Sequence, residues 1–70
     1  MSHETLYELL HRRPFEPFVV RLTSGESHEI RHPEMALLLK TKLVVGQPDS
    51  DRMAICSLLH ITQMDVSVTA

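Results

Sequence analysis

Phe18-Val19-Val20-Arg21-Leu22-Thr23-Ser24-Gly25-Glu26-Ser27-His28-Glu29-Ile30-Arg31 reads as a β-hairpin. β-Branched and aromatic side chains fit a pleated, half-buried surface, and Phe18, Val20 and Leu22 share one face under the two-residue period of a strand. Ser24-Gly25-Glu26 supplies the turn, because Gly25 reaches positive φ without a Cβ clash. On the return strand Ile30 is expected to point inward and His28 with it, which leaves Ser27, Glu29 and Arg31 on the solvated face.

Upstream, Ser2 can cap a helix through its hydroxyl, and Glu4 suits the positive end of the helix dipole. Leu6, Leu9 and Leu10 fall at helical spacing, and His11, Arg12 and Arg13 suit the last turn. Pro14 disfavours helical geometry at Arg13, so the helix is expected to stop there. A helix this short needs tertiary packing, so its leucines must dock on the rest of the fold. Phe15 and Phe18 then anchor a connector stiffened by Pro14 and Pro17.

Downstream, His32-Pro33-Glu34 interrupts the ladder, since proline has no N–H to donate. Met35-Ala36-Leu37-Leu38-Leu39 is apolar on both faces, which implies cover on both sides, by the helix or by another subunit. Lys40-Thr41-Lys42 is polar, and Leu43-Val44-Val45 resumes. This region is either a hairpin or one bent strand. Gly46 to Asp51 is a loop, Arg52 to Ser57 a strand, and Leu58-Leu59-His60 a single 3₁₀ turn. In the last strand Met64, Val66 and Val68 form the expected core face, against Ile61, Gln63 and Asp65.

The chain has 70 residues and a formal net charge of −2 with five histidines. A chain of this length buries a small share of its surface, so a disulfide, a metal or self-association is the usual supplement. Cys56 is the lone cysteine, which excludes an internal disulfide, and within Met53-Ala54-Ile55-Cys56 it is expected to be a small buried hydrophobe. Paired zinc spacings are missing. Self-association is left standing. The slightly acidic balance argues against nucleic acid, whose binders carry a basic excess or a basic face. The longest apolar run falls far short of the ~20 residues of a membrane span, and no apolar leader precedes the helix. A soluble protein of the reducing cytoplasm, without a membrane partner, is the expectation.

Catalytic constellations do not emerge. His28 and His32 on a strand would lie ~13 Å apart, too far to share one ion. Glu26, Glu29 and Glu34 flank them as solvated charges. Asp49 and Asp51 lack a calcium-loop ligand series, and Ser24 and Ser57 have no adjacent base. No phosphate loop or dinucleotide fingerprint is present. Arg12 and Arg13 serve a helix C-terminus, and Lys40 and Lys42 read as charges that discourage edge pairing. The chain is therefore expected to be no enzyme, with no cofactor, no metal and no small-molecule substrate.

The order of parts, a short helix, then Phe18-Val19-Val20-Arg21-Leu22-Thr23-Ser24-Gly25, a return strand, an apolar strand, and a strand–bend–strand close around Leu58-Leu59-His60-Ile61-Thr62, resembles the Sm-like fold, including its bacterial RNA-chaperone branch, Hfq. That resemblance implies a helix-capped, strongly bent barrel whose subunits join edge to edge into rings, with RNA held by loops around the pore. Arg31, His32 and His60 would be the RNA contacts, although Leu59 stands where the bacterial branch has lysine. The wording is also similar to a set of short uncharacterised bacterial proteins that share Arg13 to Phe18, Gly25, His32 to Glu34 and Leu58 to Ile61.

The resulting expectation is a mainly β fold, a small, strongly bent five- or six-stranded SH3/Sm-like barrel with a short N-terminal α-helix, as one domain over 1–70. The helix would span about 3–13 and the strands 18–23, 26–31, 35–45, 52–57 and 61–68. The expected function is a non-enzymatic assembly module that forms homo-oligomers through strand edges, with Met35, Leu37, Leu38 and Leu39 at the subunit interface. The alternatives are an Sm-like RNA-binding ring on Arg31, His32 and His60, and a metal protein on His28, His32 and His60.

Overall fold

Leu6, Leu9 and Leu10 are all buried along helix α1 (His3–His11) in the computed structural model, which describes residues 2–47 and 51–66. Ser2 occupies the N-cap with extended backbone, but its hydroxyl makes no capping bond; its carbonyl accepts from the Leu6 N–H at 3.3 Å instead. The helix ends two residues earlier than the sequence implies. Arg12 is already extended, at φ −64° and ψ 140°, and His11 donates from Nδ1 to the Tyr7 carbonyl at 2.9 Å. That bond satisfies one of the carbonyls a helix C-terminus leaves open. The Arg13–Pro14 peptide is cis.

Six strands follow: β1 (Phe18–Leu22), β2 (Ser27–Ile30), β3 (Ala36–Leu38), β4 (Lys42–Gly46), β5 (Met53–Ser57) and β6 (Ile61–Val66). They form two antiparallel three-stranded sheets, ordered β2-β1-β6 and β3-β4-β5. The fold is thus mainly β with one short helix. The β1–β2 hairpin turns at Gly25, whose φ is +94°, with its N–H donating to the Leu22 carbonyl at 3.0 Å. β2 ends before a 3₁₀ turn (Pro33–Met35), where the missing proline N–H breaks the ladder.

The segment 35–45, left open between a bent strand and a hairpin, is a hairpin after the first residue. Met35 closes the 3₁₀ turn, and β3 and β4 pair Leu38 with Leu43 around Lys40 and Thr41. A second 3₁₀ turn (Leu58–His60) carries the chain from one sheet to the other. Its Leu58 N–H donates to the Thr41 carbonyl and its His60 carbonyl accepts from the Thr23 N–H, at 3.0 and 2.9 Å.

One apolar core joins both sheets and the helix. Leu6, Phe18, Val20, Ile30, Leu43 and Val45 are its fully buried members. Phe15 packs against this core and meets Phe18 at a ring-centroid distance of 6.1 Å. Ile61 corrects the sequence reading of the last strand, because it is buried with the core rather than set on the polar face. The cause is a β-bulge: β6 pairs Gln63 with Arg21 but Ile61 with Leu22, and the slip of one residue reverses which face Ile61 presents. Met64 and Val66 pack against the core as expected, and Val68 lies outside the described residues.

Phe18→Ala is expected to remove about 3–5 kcal/mol of stability, a large share of what a small domain has. Leu59→Ala, at a side chain 88% exposed, is expected to stay within about 0.5 kcal/mol of the parent. Urea denaturation followed by circular dichroism measures both.

Candidate functional site

The β3-β4-β5 sheet is apolar on both faces. Its inner face, with Ala36, Leu38, Leu43, Val45, Ala54 and Cys56, belongs to the core. On the outer face Leu37, Val44 and Ile55 stand in register across the three strands, with Met53 two residues along β5. Leu37, Met53 and Ile55 are 60%, 67% and 62% exposed. Large side chains thus face outward, while the smaller Ala54 and Cys56 face inward.

β5 is also an edge strand. The Gln47 N–H donates to the Arg52 carbonyl and the Leu58 N–H to the Thr41 carbonyl, so antiparallel alternation turns the backbone groups of Ala54 and Cys56 toward β4. Those of Met53 and Ile55 point away from the sheet. Met53-Ala54-Ile55-Cys56-Ser57 contains no charge, proline or glycine, the devices that ordinarily blunt an open edge. The other edges differ. β2 carries Glu29 in an ion pair with Arg31 at 2.8 Å, β6 carries Asp65 and the bulge, and β3 is three residues long beside α1.

Of the expected interface residues, Leu37 and Leu39 are exposed, Leu38 turns inward against the core, and Met35 is half-buried in the 3₁₀ turn. The expected RNA contacts are not gathered into one patch. Arg31 and His32 follow the Ile30 end of β2, which pairs with Phe18, whereas His60 bonds to Thr23 beyond the other end of β1. A five-residue strand rises about 3.3 Å per residue, so the two groups flank opposite ends of the β2-β1-β6 sheet. Met53 and Ile55 escaped the sequence reading, which singled out only Cys56 in the run Met53 to Cys56. The large–small alternation along that run was the available signal.

Cys56 is buried, and its thiol pKa is raised first by that burial and then by the negative Glu26 carboxylate. It is therefore a poor nucleophile. Asp65 accepts from the Arg21 guanidinium, and from Gln63 Nε2 at 2.6 Å; these bonds, Arg21 first, hold its carboxyl below the ordinary 3.8. His28 shares the core side of β2 as expected. Its Nε2 is buried without a hydrogen-bond partner, 3.8 Å from Glu26 Oε2. Among the described residues no group of three or more His, Cys, Asp and Glu side chains is placed to hold a metal ion, and Asp49 lies outside those residues. Among the described residues no helix is long and apolar enough to cross a membrane. Comparison with known proteins returned nothing: no family model, no curated protein and no solved structure matches this chain.

Two outcomes follow from this chemistry. Cys56 should react slowly with a thiol-specific disulfide reagent in the native protein and at a free-thiol rate in denaturant, followed by absorbance. Because the Asp65 pKa is depressed in the folded state, its contribution to stability is complete above the ordinary aspartate range and is lost as pH falls through the folded value. Asp65→Asn should therefore flatten the acid limb of the stability profile while changing the slope near neutrality little, as read from urea midpoints across pH.

Proposed function

We propose that this chain is a non-enzymatic assembly module, a small, strongly bent Sm-like barrel that associates with copies of itself through strand edges. The observation that carries the reading is β5, an uncharged edge whose outward backbone groups and outward side chains belong to the same two residues, Met53 and Ile55. An edge of this kind is a template for another strand. A second copy satisfies the free N–H and C=O groups and covers the row Leu37–Val44–Ile55 in one step. The size of the chain supports the same conclusion, since 70 residues make a small core that gains from added apolar burial.

The barrel reading rests on connectivity. β2 leads through one 3₁₀ turn into β3, and β5 through another into β6, so the strands follow one another as β6-β1-β2, then β3-β4-β5. Both sheets share one core. β5 is then the exposed end of the second sheet, where a neighbouring copy pairs a strand edge of its own.

Light scattering on the wild-type protein at high micromolar concentration should give a mass that is a multiple of the monomer. Ile55→Lys, which puts a charge on the edge, should give folded monomer, while Leu59→Lys should leave the assembly intact. A wild-type monomer, or an Ile55→Lys protein that assembles as before, overturns the reading.

A further inference from the structure

A second open edge lies on the other side of the β3-β4-β5 sheet. The Leu39 N–H donates to the Lys42 carbonyl at 2.8 Å, so Leu37 and Leu39 turn their backbone groups toward β4. By the same alternation the Leu38 N–H and C=O and the Ala36 C=O point outward. Ala36, Leu37 and Leu38 also line a groove of about 580 Å³, together with residues of α1 and of the connector that follows it.

The groove differs in charge from the rest of the molecule. Its lining includes Arg12, Arg13, His3 and His11 and no carboxylate, although the chain as a whole is acidic. Arg12 is engaged with Glu16 at 3.5 Å; Arg13 is exposed and has no ion-pair partner among the described residues. The walls are apolar and stiff. Tyr7 is held by stacking on His11, with ring centroids 4.0 Å apart, and Phe15, Pro14 and Pro33 complete them.

We propose that this groove binds an extended, acidic-apolar peptide segment of a partner protein, which adds as a strand to the free edge of β3 and places a carboxylate on Arg13. Main-chain bonds to Leu38 and Ala36 supply the pairing, as in other cases of strand addition. An apolar side chain of the peptide rests on Tyr7 and Phe15, and the guanidinium of Arg13 takes the carboxylate in a charge-assisted bond. A peptide fits this site better than RNA, because the edge offers alternating backbone donors and acceptors over an apolar floor rather than a track of cations for successive phosphates. The site is on the opposite edge of the sheet from β5, so it remains open in an assembly built through β5.

The probe is a blocked pentapeptide, Glu-Val-Ile-Val-Glu, titrated into ¹⁵N-labelled full-length protein in its native assembly state, with fluorescence anisotropy of a labelled copy for affinity. Saturable shifts centred on the Leu38 and Arg13 amides are expected. Arg13→Ala should weaken binding about tenfold, the loss typical of a charge-assisted bond. A peptide N-methylated at alternate residues, which leaves the protein unchanged, should bind at least as poorly. The proposal is overturned if the N-methylated peptide, or one with lysine in place of glutamate, binds as well as the parent. It is also overturned if the shifts centre on Ile55, if an oligouridylate of matched length binds more tightly at the groove, or if no saturable shift occurs.

Discussion

Burial of Phe18 and Val20 on β1 is the constraint from which the rest of the molecule follows. β1 is the central strand of its sheet, with β2 on one side and β6 on the other, and both side chains are fully buried. A fully buried side chain of this size contributes roughly 1.5–3 kcal/mol through removal from water, a large fraction of the net stability of a small domain. Enclosing them takes contributions from every part of the chain: Leu6 from α1, Ile30 from β2, Leu43 and Val45 from β4, and Ile61 from β6. The inner faces of two sheets and one helix are fully committed to that core. The β3-β4-β5 sheet, rich in apolar residues on both faces, has nothing left to cover its outer side.

That imbalance connects stability to function. Ala54 and Cys56 face the core while Met53 and Ile55 face out, so the same strand completes the interior and presents an uncharged edge. The charged edges elsewhere show the contrast. Glu29 and Arg31 neutralise each other on β2, and Arg21 and Asp65 bridge β1 and β6. Exposed pairs of this kind contribute little to stability, but they do make those parts of the surface poor templates for a second chain.

Much of this was legible locally. Alternation and Gly25 define the Phe18–Arg31 hairpin, and Pro33 marks the end of its ladder. Leu58-Leu59-His60, too short for a helix, is the 3₁₀ turn its length suggests. What escaped depended on distant partners. Lys40-Thr41 has no glycine, proline or asparagine to announce a turn, so only pairing of β3 with β4 reveals the hairpin. The inward face of Ile61 follows from a bulge against Leu22, which no window around Ile61 contains. The outward face of β5 was hidden because both faces are apolar, and alternation in polarity then carries no information. His28 is a further case: its place on the core side was readable, but the bond its ring lacks is set by where Glu26 lies.

The pairing of β1 with β6 bears on how the chain matures on a ribosome. Phe18 aligns with Val66 and Leu22 with Ile61, so the flank of β1 opposite β2 stays vacant until the last of the described elements has been synthesised. Contacts so distant in sequence are slow to form, and a nascent chain that exposes apolar surface meanwhile is vulnerable to misassembly and is a substrate for chaperones. The first hairpin therefore emerges early, and its sheet is complete only once β6 has also emerged.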